Sequence, residues 1–170
     1  VATVCDIVTL LEENRTIVKL GLQQLHQCSN LGLNALAEGN QLRLSAINTG
    51  DIGYRIGPCI NASGRLASAD LAMQLLLAAD ETTAMELASE LIQLNEERKE
   101  KTQLAVDAAV QLAEERVALS DKVLVLLLKD CHESVAGIVA GKIKETYNRP
   151  TIILTYGKDC VKGSARSTEY

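Results

Sequence analysis

The sequence predicts an α/β protein with a helical first part, a long connecting helix and a final strand–helix–strand unit. Hydrophobic residues make up 47% of its 170 residues and aromatic residues only 2%, so its core has to be aliphatic. No Gly or Pro occurs between Gly64 and Gly137, which favours one long helix. Two short apolar runs, Val123–Leu128 and Thr151–Leu154, then flank an amphipathic stretch, as in a βαβ unit.

The predicted domain organisation has three parts. Residues 1–80 form the helical part, residues 81–119 the connecting helix, and residues 120–170 the start of an α/β domain. A chain of this length suffices for one ordinary domain or two small ones. The chain begins at Val1 and not at Met, so we expect a piece of a larger protein.

Helical periodicity, caps and breakers predict the elements of the first part. They are a helix from Asn14 to about Leu25, a helix capped by Ser29 or Asn30 and ended by Glu38–Asn40, a short helix over Ser45–Tyr54, and a stiff, irregular turn over Gly57–Arg65.

Two polar residues predict the helix starts that follow. Ser68 can cap a helix from Ala69 to Ala79, and Asp80 can cap the next one. That next helix runs from Glu81 to near Val117, on the order of 55 Å at the usual rise per residue. Its charged band, Glu96–Lys101, and its narrow apolar stripe are typical of a connector.

The last part carries the predicted sheet. The continuous apolar run Val123–Leu128 is typical of a buried parallel strand. Val135–Tyr147 forms the crossover helix, Pro150 stops it, and Thr151–Leu154 forms the second strand. We expect a third strand over Cys160–Ser167, antiparallel at an edge of the sheet.

Charge argues against a broad, nonspecific nucleic-acid surface, because the net charge is −5. Residues 1–120 carry 9 basic and 16 acidic side chains, whereas residues 121–170 carry 8 and 6. The second part can therefore meet an anion locally. The scarcity of aromatic residues makes a base-stacking platform unexpected.

Five cysteines without a CxxC spacing indicate free thiols in a reducing compartment. No signal peptide is visible, and Val123–Leu128 is too short to span a bilayer. We therefore expect a cytoplasmic protein that does not bind membranes.

Two residues of the first part are candidates for function. Asp6 lies inside the apolar run Val1–Leu11, where an unpaired carboxylate would be costly to bury, so it needs a partner. A helix N-terminus, which the residue would cap, a basic residue and a metal all remain open as that partner. Arg65 follows the predicted turn and either holds a phosphate or is a solvated surface arginine.

The second part offers two further candidate segments. On a strand, Ser164 and Arg166 point to one face, and a hydroxyl beside a guanidinium suits a phosphate. His132 follows the first strand, at the edge where ligands bind in open α/β sheets, although a capping loop with a solvated imidazole is an alternative. His26 lies at a helix end and is interpreted as structural.

Five segments in order give the chain a resemblance to a known family. They are VATVCDIVTLLEENR, IGPCINASGRL, LNEERK, HESVAGIVAGKIKETYNRP and KGSARS. Their order and spacing resemble RecJ, the single-strand-specific 5′→3′ DNA exonuclease family of the DHH phosphoesterase superfamily. The resemblance covers nearly the whole chain. It implies that residues 1–80 close the catalytic domain and residues 120–170 begin the truncated DHH-associated domain.

The resemblance also implies roles for residues. Asp6 matches a ligand of catalytic Mn²⁺ or Mg²⁺, of which the intact enzyme would hold two. Arg65, Asn61, Ser164 and Arg166 match substrate-binding positions that hold the DNA backbone, above all its 5′-phosphate, and His132 matches a further one.

The chain also departs from the family pattern. Ser134 replaces the usual Gly, and Cys59 replaces a frequent Arg. The DHH motif and the later Gly-Gly-His segment are absent, so we expect an internal fragment that has no nuclease activity alone.

The implied partner is single-stranded DNA, with a single-strand-binding protein or a helicase as further possible partners. Two alternatives stay open. One is a DHH-type phosphodiesterase of short oligonucleotides or cyclic dinucleotides. The other is a non-catalytic module that binds nucleic acid or a protein partner.

Overall fold

The computed structural model describes residues 1–168. Its helices and strands make a mixed α/β protein, as the sequence predicted. The chain divides into two compact units, one over Val1–Glu96 and a second that begins at Glu97. No described helix has both the length and the apolar character needed to cross a membrane.

The first unit is helical and has an aliphatic core. Leu36, Ile56, Leu75 and Leu91 are all at most 2% exposed and belong to one cluster. The elements are α1 (Ala2–Cys5), α2 (Glu12–Leu25), α3 (Leu31–Gly39), a 3₁₀ turn (Leu44–Ala46), α4 (Thr49–Asp51), a π-helical turn (Ile52–Ile56), α5 (Gly57–Leu66), α6 (Ala69–Leu76) and the first part of α7 (Glu81–Ala118).

Three predicted caps are confirmed. The Asn30 side chain accepts a hydrogen bond from the Leu33 N–H at 2.9 Å, and Ser68 accepts one from Asp70. Asp80 Oδ1 accepts from the Thr83 N–H at 2.8 Å, and this bond lowers the pKa of Asp80. Local side-chain chemistry therefore determines where these helices begin.

The irregular turn predicted over Gly57–Arg65 is wrong, because these residues form the helix α5. Pro58 lies in its first turn, which continues directly from the π-helical turn Ile52–Ile56. Gly57 serves close packing: a Cβ there would lie 2.2 Å from Cys5 Sγ. The Gly and Pro that suggested a turn therefore lie inside a continuous helical segment, and Gly57 lets that segment pack against Cys5 of α1.

Helix α7 has the predicted length, with 38 residues from Glu81 to Ala118. Ala88 and Leu91 are buried in the core of the first unit. Ala105, Ala109 and Ala113 are buried in the core of the second. The predicted connector thus contributes core residues to both units.

The second unit contains the predicted βαβ arrangement. Strands β1 (Leu124–Leu127) and β2 (Thr151–Tyr156) pair in parallel, and α8 (Ala136–Tyr147) connects them. Strand β3 (Val161–Arg166) pairs antiparallel with β2, so the sheet order is β1-β2-β3. The third strand therefore lies at the predicted edge.

The prediction of a parallel strand is confirmed for β1, but the strand is buried on one face only. Leu124 and Leu126 are at most 2% exposed, whereas Val125 is 47% and Leu127 is 40% exposed. The buried pair packs with α8 and the last part of α7 on one face of the sheet. An apolar run alone does not tell whether both faces are covered.

Gly32→Ala should destabilise the protein, because a Cβ at Gly32 would lie 2.0 Å from the backbone oxygen of Leu75. Backbone atoms cannot move aside cheaply, so we expect a loss of about 1–3 kcal/mol of unfolding free energy. Urea unfolding measures it. Gly21→Ala is the matched control, since Gly21 has no such neighbour within 4 Å. Equal stability of both variants would contradict this packing.

Candidate phosphate-binding site

The register between β2 and β3 puts two candidate residues on one face of the sheet. Ser164 pairs with Ile153, and Arg166 pairs with Thr151. Paired residues share a face, and both Ile153 and Thr151 are fully buried. The side chains of Ser164 and Arg166 therefore lie on the face of the sheet against which α8 packs.

These two side chains meet at the first turn of α8. Arg166 Nη1 donates to the Ala165 carbonyl oxygen at 2.7 Å and to Ser164 Oγ at 3.3 Å. Both side chains approach Gly137, the second residue of α8. A Cβ at Gly137 would lie 2.9 Å from Arg166 Nη2 and 3.0 Å from Ser164 Oγ. The structure thus brings the predicted Ser164 and Arg166 together beside a helix N-terminus.

The cluster has the chemistry of an anion site. Arg166 is exposed and Ser164 is partly exposed, so solvent reaches both. A guanidinium binds phosphate through a planar fork, and a hydroxyl can donate a further hydrogen bond. The positive end of the α8 dipole favours negative charge at the same place. Three independent features therefore favour a phosphate here.

His132 lies in the loop between β1 and α8. Its Nδ1 lies 2.7 Å from Ser134 Oγ and 3.3 Å from the Ser134 N–H. Its carbonyl accepts from the N–H of Val135, the N-cap residue of α8. The residue thus belongs to the loop that leads into α8, and its exposed ring lies against Ser134. Contact of the ring with substrate stays a prediction.

An open pocket of about 1240 Å³ lies beside His132, at the carboxyl ends of β1 and β2. Ligands of open α/β sheets commonly bind at this edge. Its walls combine aliphatic side chains of α7 with Tyr156. The Lys, Asp, Glu and His residues that line it are Lys101, Lys129, Lys158, Lys162, Asp130, Glu133, Asp159 and His132.

Two of these lining residues form an ion pair. Lys162 Nζ lies 2.6 Å from Glu133 Oε2. The hydrogen bond from Lys162 lowers the pKa of Glu133, and the same bond raises the pKa of Lys162. The pair joins the start of β3 to the loop before α8. It therefore links β3, which carries Ser164 and Arg166, to the start of α8, which carries Gly137.

The candidate residues of the first unit lie on α5. Asn61 and Arg65 are one helical turn apart, and both are exposed. Cys59, Ala62 and Ser63 are fully buried on the other side of this helix. Arg65 lies in the last turn, where a cation also interacts favourably with the helix dipole. Its side chain thus faces outward, and a phosphate contact stays a prediction.

Asp6 is exposed, so the expectation that its carboxylate is enclosed in an apolar run is wrong. It takes the C-cap position of α1, and an N-terminal cap therefore does not explain it. A carboxylate oxygen suits Mn²⁺ or Mg²⁺. Among residues 1–168, however, no group of three or more His, Cys, Asp or Glu side chains could hold an ion. These residues alone do not make a metal site.

His26 has the structural role that its position predicted. Its Nε2 lies 2.9 Å from the Ile47 carbonyl oxygen, which ties the end of α2 to the segment before α4.

Sequence reasoning missed Gly137 and the pair of Glu133 and Lys162. Gly137 could have been suspected, because a glycine in a predicted helix interior needs a reason. The ion pair had no sequence signal, since its partners are 29 positions apart and meet through the strand pairing.

Comparison with known proteins links the chain to one group of proteins. It is 36% identical over 169 residues to the single-stranded-DNA-specific exonuclease RecJ of Bacillus subtilis, covering 98% of the chain and 21% of that protein. It is 34% identical to the RecJ of Thermus thermophilus over 97% of the chain and 24% of that protein. The Escherichia coli RecJ is also 34% identical, with 98% and 30% covered.

Solved structures of RecJ proteins are also similar to the chain. The crystal structure of Thermus thermophilus RecJ with Mn²⁺ matches 97% of the chain and 24% of that protein at a TM-score of 0.84 and 34% identity. A manganese-bound exonuclease RecJ matches 98% of the chain and 40% of that protein at 0.82. No protein-family model matches the chain. The chain spans between a fifth and a third of the length of its curated relatives.

Lys162→Met should raise the pKa of Glu133 toward that of an ordinary carboxyl group, because it removes the cation that stabilises the charged form. Carboxyl NMR titration of Glu133 measures this shift. The depressed pKa means that the pair stabilises the fold at neutral pH and stops doing so as pH falls through that pKa. Lys158→Met removes another lysine of the same pocket and is the control. An unchanged Glu133 titration in Lys162→Met would contradict the pairing.

Proposed function

We propose, from the premise that this chain belongs to the RecJ family, that it is part of a metal-dependent exonuclease. Its substrate is single-stranded DNA, whose phosphodiester bonds it hydrolyses from the 5′ end. One observation supports the role of this chain most directly. Ser164 and Arg166 converge on the first turn of α8, where an anionic group is favoured.

The proposed task of this cluster is to hold the terminal phosphate of the strand. The guanidinium of Arg166 donates hydrogen bonds to two phosphate oxygens, and the hydroxyl of Ser164 donates one to a phosphate oxygen. Holding the end of the strand places the next phosphodiester bond at a constant distance from the cluster. A contact of this kind selects for a strand end and for position, but not for base sequence.

Arg65 and Asn61 would extend the grip from the first unit. They are exposed on one side of α5, within reach of a ligand from solvent. We expect Arg65, like Arg166, to bind the backbone of the strand, with α7 as the connector between the proposed domains 1–80 and 120–170. These roles and this domain division stay predictions.

Asp6 would supply one oxygen ligand for Mn²⁺ or Mg²⁺ in the intact enzyme. When bound, such ions activate water and stabilise the charge that develops on phosphorus. The remaining ligands must come from outside residues 1–168, because these contain no sufficient cluster. The proposed contribution of this chain is therefore mainly to bind and orient the strand.

We also propose that the protein works in the cytoplasm, in contact with single-stranded DNA and with a single-strand-binding protein or a helicase. The five cysteines are free thiols, which suits a reducing compartment.

Arg166→Ala in the intact nuclease should weaken binding of 5′-phosphorylated strands more than binding of 5′-hydroxyl strands. A charge-assisted hydrogen bond contributes about 1.5–3 kcal/mol, so we expect a selective loss of about tenfold to a hundredfold. Fluorescence anisotropy with the two labelled strands measures it, in Ca²⁺ in place of Mn²⁺ so that cleavage does not interfere.

Arg116→Ala is the charge-matched control for that experiment. Arg116 is an exposed arginine at the end of α7 that pairs with Asp121. It should weaken binding of both strands slightly and equally, through net charge alone. An equal loss for both strands in Arg166→Ala would rule out a terminal-phosphate role.

The isolated chain 1–170 should show no metal-dependent cleavage of single-stranded DNA, because Asp6 alone cannot hold two ions. Incubation with a 5′-labelled oligonucleotide and Mn²⁺ tests this expectation, with the intact nuclease as the positive control. Robust cleavage that survives purification to homogeneity, and that Asp6→Ala abolishes, would overturn it.

A further inference from the structure

We propose that Gly137 is a positioning residue: its missing side chain makes the space in which Arg166 and Ser164 reach the phosphate. This inference rests on the proposed function of that pair. Gly137 itself need not touch the substrate. It acts by leaving the first turn of α8 bare on the side that faces β3.

The distances support this role. A Cβ at Gly137 would lie 2.9 Å from Arg166 Nη2, 3.0 Å from Ser164 Oγ and 3.7 Å from Arg166 Cζ. The two shorter distances are below an ordinary van der Waals contact. The same two side chains are also joined to each other, through Arg166 Nη1 and Ser164 Oγ at 3.3 Å. Any residue larger than glycine would therefore disturb both members of the cluster.

Backbone conformation gives no other reason for a glycine at this position. Gly137 lies within α8, and no described glycine has a positive φ. Alanine would favour the helix more than glycine does. Gly141, one turn later on α8, has no such neighbour within 4 Å and so provides a comparison on the same helix. The requirement at Gly137 therefore comes from the side chains that β3 presents.

The effect of a Cβ should fall on function and not on folding. The atoms it would meet are the end of a long, flexible arginine and a serine hydroxyl, which can turn away without moving the backbone. The guanidinium of Arg166 is exposed, so solvent can accept its new position. Gly137→Ala should thus keep the fold and displace the phosphate grip.

The experiment measures binding of 5′-phosphorylated and 5′-hydroxyl single strands to the intact nuclease in Ca²⁺, together with thermal unfolding. Gly137→Ala should lower affinity for the phosphorylated strand by about tenfold relative to the hydroxyl strand, as expected for one weakened charge-assisted contact. Its melting temperature should not fall. Gly141→Ala, which makes the same chemical change on α8, should leave the discrimination between strands as in the wild type.

A triple variant shows whether Gly137 acts through the two side chains of the cluster. If it does, adding Gly137→Ala to the double variant Ser164→Ala and Arg166→Ala should not lower the discrimination that this double variant keeps. Additive losses would overturn the inference, as would equal losses in the two glycine variants.

The two proposals can fail separately. Normal discrimination in Gly137→Ala, with a selective loss in Arg166→Ala, would overturn only the role of Gly137. Normal discrimination in Arg166→Ala would overturn the terminal-phosphate site itself.

Discussion

The pairing of β3 with β2 in a single register is the constraint on which the second unit depends. Ile153 and Thr151 point into the core beneath α8, and their partners Ser164 and Arg166 point to the same side. A shift of one residue would carry the serine and the arginine to the opposite face. Burial of aliphatic β2 residues thus determines where the polar cluster forms, because the same register serves both.

Helix α7 also serves two purposes, because its residues contribute to two separate core clusters. Ala105, Ala109 and Ala113 recur at a spacing of four and lie on one side of the helix, where small side chains permit close packing against the core of the second unit. Ala88 and Leu91, nearer the start of the helix, are buried in the core of the first unit. The charged band between these two stretches carries an ion pair of Lys101 with Glu97 at 2.8 Å and makes little apolar contribution. Residues of one helix therefore contribute to two cores, and a polar stretch lies between them in its sequence.

The features predictable from the sequence are those that depend on near neighbours. The capping residues Asn30, Ser68 and Asp80 indicate where helices begin. Each accepts a hydrogen bond from a backbone N–H two or three residues later, so the signal is local in the sequence. The order of strand, helix and strand followed from hydrophobic period and from Pro150. The antiparallel edge strand was also anticipated, since a short polar strand after a turn suits an edge.

The features that were mispredicted depend on distant contacts. Gly57 looked like a turn residue, yet it is glycine because Cys5, 52 positions earlier, packs against it. Val125 and Leu127 have the same composition as their buried neighbours, and only the placement of helices decides which face is covered. The candidate site shows the same limit. The spacing of two places Ser164 and Arg166 on one face of a strand. It does not show that the first turn of α8, at Gly137, lies beside them.

The geometry of Arg166 allows the proposed phosphate site to stay formed without a bound phosphate and without cost to the fold. Its Nη1 donates to the Ala165 carbonyl oxygen and to Ser164 Oγ, while a guanidinium has five N–H donors in all. The side chain is therefore held in place by neighbours on its own strand and still has donors to offer. Because it is exposed, no buried charge has to be compensated. A phosphate arriving at the start of α8 would meet a cation already oriented, so less side-chain freedom is lost on binding.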